Sequence, residues 1–227
     1  MTQDRQLCRW HAQADAAAVD CAVAARILAA ATAATAARGA FHLVLAGGTT
    51  PRRIYEALRV SAARWECWHI YFGDERCLPP QHPERNSRMA AAAWLDHVAI
   101  PPRQVHPMPA DLGATAAAAA YARTLAGVAE FDLVLLGLGE DGHTASLFPG
   151  HDWGEGDAAA DVLAVFDAPK PPSQRVSLSA RRLGMARQVI FLAAGTAKRE
   201  ALAAWRNGEA IPAAAVRPAA GVDIYYA

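Results

Sequence analysis

Lysine is almost missing from this chain. Lys170 and Lys198 are the only two among 227 residues, and every other basic side chain except histidine is an arginine. An excess of either charge is missing too: 22 Lys+Arg balance 22 Asp+Glu, and charged residues make up 19% of the chain, below the roughly 25% usual in soluble domains. With no field of one sign to attract nucleic acid or an anionic membrane, an anionic ligand has to be met by a local cluster of basic side chains and backbone amides. The four cysteines, Cys8, Cys21, Cys67 and Cys77, show no CxxC spacing. They read as reduced thiols and favour a reducing compartment. The opening "MTQDRQLCRWHAQAD" lacks the basic-then-apolar order of a signal peptide. The Ala/Val-rich stretch after it is broken by Asp20 and Arg26, short of the ~20 uninterrupted apolar residues of a membrane span. The histidines are scattered, with no HExxH and no Cys/His pairs at zinc spacing, so neither a metal nor another cofactor is expected. The expectation is a cytoplasmic protein that binds neither nucleic acid nor membrane.

What is present is core-forming material, 53% hydrophobic residues, with no repeat of fixed period, which predicts one domain over residues 1–227. From Ala14 to Arg38 alanine dominates, with Val19, Val23, Ile27 and Leu28 at helical spacing and Gly39 as a stop. "FHLVLAGG" predicts a strand ending in paired glycines, and "TTPRRIYEALR" a helix opened by a threonine cap and an N1 proline. "WHIYF" predicts a strand that runs into the polar loop "GDERCLPPQHPERNS", followed by helices over 87–95 and 111–129. "FDLVLLG", "DVLAVF", "RVSLS", "RQVIFLAA" and "VDIYY" are further strands, 196–205 a helix, and "GHDWGEGDAAAD" a surface loop. Strands alternating with helices predict an α/β fold, a Rossmann-like open and mostly parallel sheet flanked by helices on both faces. Ligands of such sheets sit beyond the carboxyl ends of the strands, so the polar exits "GGTTP", "GDER" and "GLGEDGH" are expected to converge.

Each exit suits a different task. In "AGGTTPRR", Gly47 and Gly48 let the backbone approach an anion, while Thr49, Thr50 and the helix amides supply donors; an ordinary capped turn reads the same way. In "GDERC", Asp74, Glu75 and Arg76 follow a strand directly. Arg76 suits a phosphate, a carboxylate or a developing oxyanion, and the acids suit an ion pair or a helix cap. Alternation along a strand means that not all three face one ligand. In "GLGEDGH", His143 stands beside Asp141 at a strand exit, with "TASLF" expected to form one or two helical turns after it. Imidazole is the side chain best suited to take a proton at neutral pH, so His143 is the candidate general base. Arg175 in "PPSQRVSLS" and Lys198 in "GTAKREAL" are candidate contacts to an anion; Lys198 in the first turn of a helix opposes the dipole unless an anion lies near, and a solvated lysine is the plainer reading.

Taken together, "LAGGTTPRRIYEAL", "YFGDERCLPPQHPERNSRMA", "FDLVLLGLGEDGHTASLFPG", "PPSQRVSLS" and "GTAKREAL" resemble the 6-phosphogluconolactonase family, within the wider group that includes glucosamine-6-phosphate deaminases. The resemblance runs from about Leu43 to Leu202. It departs from the family where Thr49 replaces a more usual serine and at the closing "GVDIYYA", where Asp223 receives no role. The resemblance implies hydrolysis of 6-phospho-D-glucono-1,5-lactone, with no cofactor. It also implies His143 as general base, Asp141 as its orienting partner and Arg76 on the carbonyl oxygen, ring hydroxyls or phosphate. Asp74 would contact substrate, and Gly47, Gly48, Thr49, Thr50, Arg175 and Lys198 would hold the phosphate. A deaminase continues its DGH motif to a glutamate that assists ring opening. The counted position here is Phe148, which cannot move a proton. A sugar-phosphate sensor without chemistry is the other alternative; the expected partner is the small-molecule sugar-phosphate lactone, and the expected state a monomer or a homodimer.

Overall fold

The structure, a computed structural model, describes residues 6–227, so the start of the polar opening lies outside the described residues. In chain order the elements are β1 (Cys8–Ala12), α1 (Ala16–Arg38), β2 (Phe41–Leu45), α2 (Thr49–Arg59), β3 (Trp68–Phe72), β4 (Asp74–Arg76), α3 (Asn86–Ala93), α4 (Ala114–Leu125) and β5 (Leu133–Gly137). They continue with β6 (Val162–Val165), β7 (Arg175–Leu178), α5 (Ala180–Gly184), β8 (Val189–Ala193), α6 (Arg199–Arg206), α7 (Pro212–Ala215) and β9 (Val222–Tyr226). A six-stranded sheet has the order β1-β9-β8-β5-β2-β3, and every paired neighbour is parallel. All of β8 and all but the last residue of β5 are buried. Successive side chains point to opposite faces of a sheet, so both faces at its centre are covered, as continuous apolar strands require.

Chain direction explains where a ligand fits. From β2 the chain winds through α2 to β3 on one side, then returns through α3 and α4 to place β5 on the other side of β2. The β2/β5 boundary is therefore the topological switch point, and a crevice opens beyond the carboxyl ends of these two strands. α1 is fixed at both ends: the Asp15 side chain accepts from the Ala18 amide at 2.8 Å, and Gly39, with φ 78°, returns its amide to Thr35. Length and average composition alone make α1 long and apolar enough to cross a membrane, although Asp20 and Arg26 interrupt it. Its Val19, Val23 and Ile27 are fully buried in the core, however, and Asp20 on the same helix pairs with Arg53 of α2. That is the pattern of a core helix.

Several expectations are corrected. "GDER" is not loop: Asp74–Arg76 forms β4, which joins β7 and β6 in a second, antiparallel sheet, so "DVLAVF" and "RVSLS" do not belong to the parallel one. "TASLF" is not helical. Thr144 Oγ1 donates to Gly137 O at 2.8 Å, Ala145 holds φ 48°, and Ser146 is drawn into side-chain contacts, so the segment folds as a tight turn. The expected threonine cap of α2 is replaced by Gly48, with φ 108°, and Thr49 and Thr50 are the first helical residues. The helix expected over 111–129 and the one expected over 196–205 each open with a separate 3-10 turn, at Ala110–Leu112 and Thr196–Lys198. β1 was not foreseen, because "CRWHA" is short and half-exposed at the sheet edge.

Asp223 supplies what ties that edge down. It is 6% exposed, accepts from Arg9 Nε at 2.8 Å and Nη2 at 3.0 Å, and lies 2.7 Å from His11 Nε2, so both partners come from β1. Burial alone would push its carboxyl up, but the hydrogen bonds and charges of Arg9 and His11 outweigh it and hold the group below the ordinary range. A carboxylate lowered in this way contributes stability above its unfolded value of about 3.9, and loses it as pH falls through the lower folded value. Asp223→Asn is expected to cost about 1–2 kcal/mol at pH 7 in urea denaturation, with the gap to the wild type narrowing below about pH 4. A gap that is the same at pH 3 and pH 7 contradicts the pairing.

Candidate active site

Beyond the ends of β2, β3, β5 and β8 lies a cleft of about 460 Å³, within the range of small-molecule sites. It is lined by Gly47, Gly48, Thr49 and Thr50 after β2, by Asp74 and Arg76 of β4, and by His143, Arg175 and Lys198. Of the residues expected from the sequence, only Asp141 stands back from the wall. A hollow of about 490 Å³ near Trp10, Trp205 and Glu209 shares no lining residue with this cleft.

At the β2 exit, the Thr49 and Thr50 amides open α2, where no preceding helical turn accepts them, and the positive end of the helix dipole faces the same way. Gly47 is required by packing: a Cβ there would lie 2.0 Å from Asn86 Oδ1. Alternation along β4 then divides the three charged residues. Glu75, fully buried, turns away and accepts from the Asn86 and Ser87 amides, each at 2.8 Å. It caps α3 and also pairs with Arg85, whose Nε lies 3.4 Å from Oε2, so both readings left open for these acids hold at Glu75. Asp74 and Arg76 face the cleft. Asp74 Oδ1 accepts from Asn86 Nδ2 at 2.9 Å, and Oδ2 accepts from Ser146 Oγ at 2.6 Å. Arg76 Nη1 donates to Glu84 O at 2.5 Å, while its Nε is buried without a partner. Arg175 is 5% exposed; burial works against its charge and Arg76 adds to that, whereas Asp74 supports it. It remains protonated, as guanidinium does far above neutrality.

The histidine loop is closed by the Gly139 amide, which donates to His143 O at 2.7 Å. Within it, His143 Nδ1 lies 2.5 Å from Asp141 Oδ1, and the same oxygen accepts from the His143 amide at 3.1 Å. Partial burial would raise the Asp141 carboxyl, but the side-chain and backbone hydrogen bonds from His143 prevail and keep it below its usual value, hence ionised. An ionised carboxylate on Nδ1 fixes the tautomer that carries its proton there, and Nε2 is left free to accept one. A Cβ on Gly139 would fall 2.0 Å from His143 Nδ1 and 2.6 Å from Asp141 Oδ1, so this glycine makes room for the pair. Phe148, 1% exposed, lies 5.0 Å from the His143 ring, centroid to centroid. Asn86, Ser146 and Lys170 were missed as site residues. Asn86 and Ser146 stood inside motifs already singled out, but their meeting at Asp74 spans 72 residues and leaves no local pattern.

A sequence profile for the glucosamine-6-phosphate isomerases/6-phosphogluconolactonase family matches residues 14–225. The chain belongs to that family. Among curated relatives, a 6-phosphogluconolactonase of Synechocystis is 41% identical over 185 residues, covering 75% of this chain and 73% of its own. One of Mycobacterium tuberculosis is 40% identical over 206 residues, 83% of each chain. The crystal structure of a 6-phosphogluconolactonase from Thermotoga maritima superposes with a TM-score of 0.89 at 27% identity, covering 97% of this chain and 99% of the other.

Asp74 is the buried group whose loss should be felt most widely. Asp74→Ala removes the partner of two buried donors, one on α3 and one on the histidine loop. An expected loss of about 2–4 kcal/mol follows, measured by urea denaturation; a loss under about 0.5 kcal/mol would mean that the carboxylate ties nothing together.

Proposed function

We propose that this chain hydrolyses 6-phospho-D-glucono-1,5-lactone to 6-phospho-D-gluconate, the lactone-opening step of the oxidative pentose phosphate pathway, with His143 as general base. The observation that carries the reading is the engagement of His143 Nδ1 by Asp141, which leaves Nε2 free in a cleft that also holds Arg76, Arg175 and Lys198. The family relatives that bear the lactonase name support it.

A lactone is already an activated ester, so water needs a base and the carbonyl needs a cation, while no serine or cysteine nucleophile is called for. Water gives a proton to His143 Nε2 as its oxygen bonds to C1, and the carbonyl π electrons move onto oxygen. Arg76 stabilises that oxyanion in this reading, more than neutral water would. The tetrahedral centre collapses, the bond from C1 to the ring oxygen breaks, and the imidazolium returns its proton to the departing oxygen. The resulting carboxylic acid ionises, so each turnover releases one proton. Asp141 keeps the ring oriented and favours the imidazolium that forms. The Thr49 and Thr50 amides and Lys198 meet the phosphate at the other end.

The family name also covers an isomerase chemistry, which needs a second acid-base group near the histidine. Phe148 stands at the counted position, and its buried ring against His143 cannot transfer a proton. That favours the lactonase side.

The test is the initial rate of hydrolysis of freshly generated lactone, coupled to oxidation of the product, beside an enzyme-free blank. The wild type is expected to exceed the blank by orders of magnitude and His143→Ala to fall by about 10²–10⁴. Gly139→Ala, which displaces the pair without removing either member, is expected to lose about 10²-fold with an unchanged circular dichroism spectrum. A wild-type rate equal to the blank, with 6-phosphogluconate still bound, would make the chain a sensor instead.

A further inference from the structure

Arg175 holds the loop between β6 and β7. Its Nε donates to Pro172 O at 3.1 Å, and its Nη2 donates to Lys170 O at 2.8 Å and lies 3.4 Å from Pro171 O. Two of the three guanidinium nitrogens are therefore committed to backbone carbonyls, and the Nε/Nη2 edge cannot also present a bidentate fork to a phosphate. The guanidinium lies over Phe148, 5.5 Å from the ring centroid, and Phe148 packs on His143. The loop backbone at Lys170 is thus linked to the histidine by contacts through Arg175 and Phe148.

Lys170 and Pro171 line the cleft, and so does Lys198, which means that both lysines of the chain face one cavity. Among the described residues neither lysine is in an ion pair, whereas Arg9, Arg38, Arg53, Arg85 and Arg187 all are. Four cations, Arg76, Lys170, Arg175 and Lys198, line the cleft against one carboxylate, Asp74. A phosphate monoester brings about −1.5 to −2 at neutral pH and accepts from compact point charges as readily as from forks.

Resting on the sugar-phosphate reading of this cleft, we propose that Lys170 directly contacts the substrate phosphate, opposite in origin to Lys198, and that Arg175 acts through it as a positioning residue by gripping the loop carbonyls. Phosphate selectivity then depends on a side chain delivered by the β6–β7 loop as well as on the α2 amides.

Because there are only two lysines, amine acetylation followed by peptide mass spectrometry reads each separately. With saturating 6-phosphogluconate as the protecting probe, the acetylation rates of Lys170 and Lys198 are both expected to drop about tenfold, the equivalent of one charge-assisted contact. Protection of Lys198 alone overturns the role of Lys170 and leaves the phosphate site standing; protection of neither overturns the phosphate reading itself. In kinetics, Lys170→Ala is expected to raise KM for the phosphorylated lactone about tenfold and to lower kcat by less, with Lys170→Arg recovering most of the loss. The penalty should be smaller for the lactone that lacks phosphate. A KM for Lys170→Ala equal to that of the wild type overturns the proposal.

Discussion

A buried carboxylate has to be given hydrogen-bond partners, and Asp74 takes its two from segments far apart in the chain. Asn86 comes from the start of α3, and its side chain leaves room for no residue but glycine at position 47, which sets how the β2 exit approaches a ligand. Ser146 comes from the turn after His143, and its amide is held in turn by Ser177 Oγ at 3.2 Å, on the strand that pairs with β4. One carboxylate thereby ties the start of α3, beside the β2 exit, to the turn that follows His143. The small antiparallel sheet exists in the right place because this knot holds it to the ends of the parallel one.

Within that frame the division of labour is electrostatic. The histidine and its aspartate are set on a loop closed by backbone hydrogen bonds from the Gly139 amide to His143 O and from the Gly142 amide to Gly139 O, with glycine where any side chain would separate them. Arg76, Lys170, Arg175 and Lys198 line the same cleft as the histidine. Phe148 contributes by being apolar. It packs on both the histidine and Arg175.

The sequence was most legible where apolar runs ended in glycine. β2, β3 and β5 and their exits followed from local pattern alone, and the convergence of those exits followed from the geometry of parallel sheets. Legibility failed where tertiary contacts overrode local preference. Charged "DER" became a strand because β7 was there to pair with it, and "TASLF" gave up a helix because Thr144 and Ser146 had partners outside the segment. The role of Glu75 as a cap rather than a ligand was decided by strand alternation, which the sequence allowed but did not require. Lys170 could be noticed only as a rare residue, since nothing local says that its loop folds back over the cleft. β1 depended on Asp223, whose partners lie more than 200 residues away.

His143 is proposed to deprotonate water in the step that opens the ring. Single-turnover hydrolysis of the phosphorylated lactone, followed in H2O and in D2O, tests that step apart from product release. The expected result is a slower rate in D2O for the wild type, and loss of that difference together with most of the rate in His143→Ala. Equal wild-type rates in the two solvents, or a His143→Ala variant that keeps the wild-type rate and solvent effect, would contradict it.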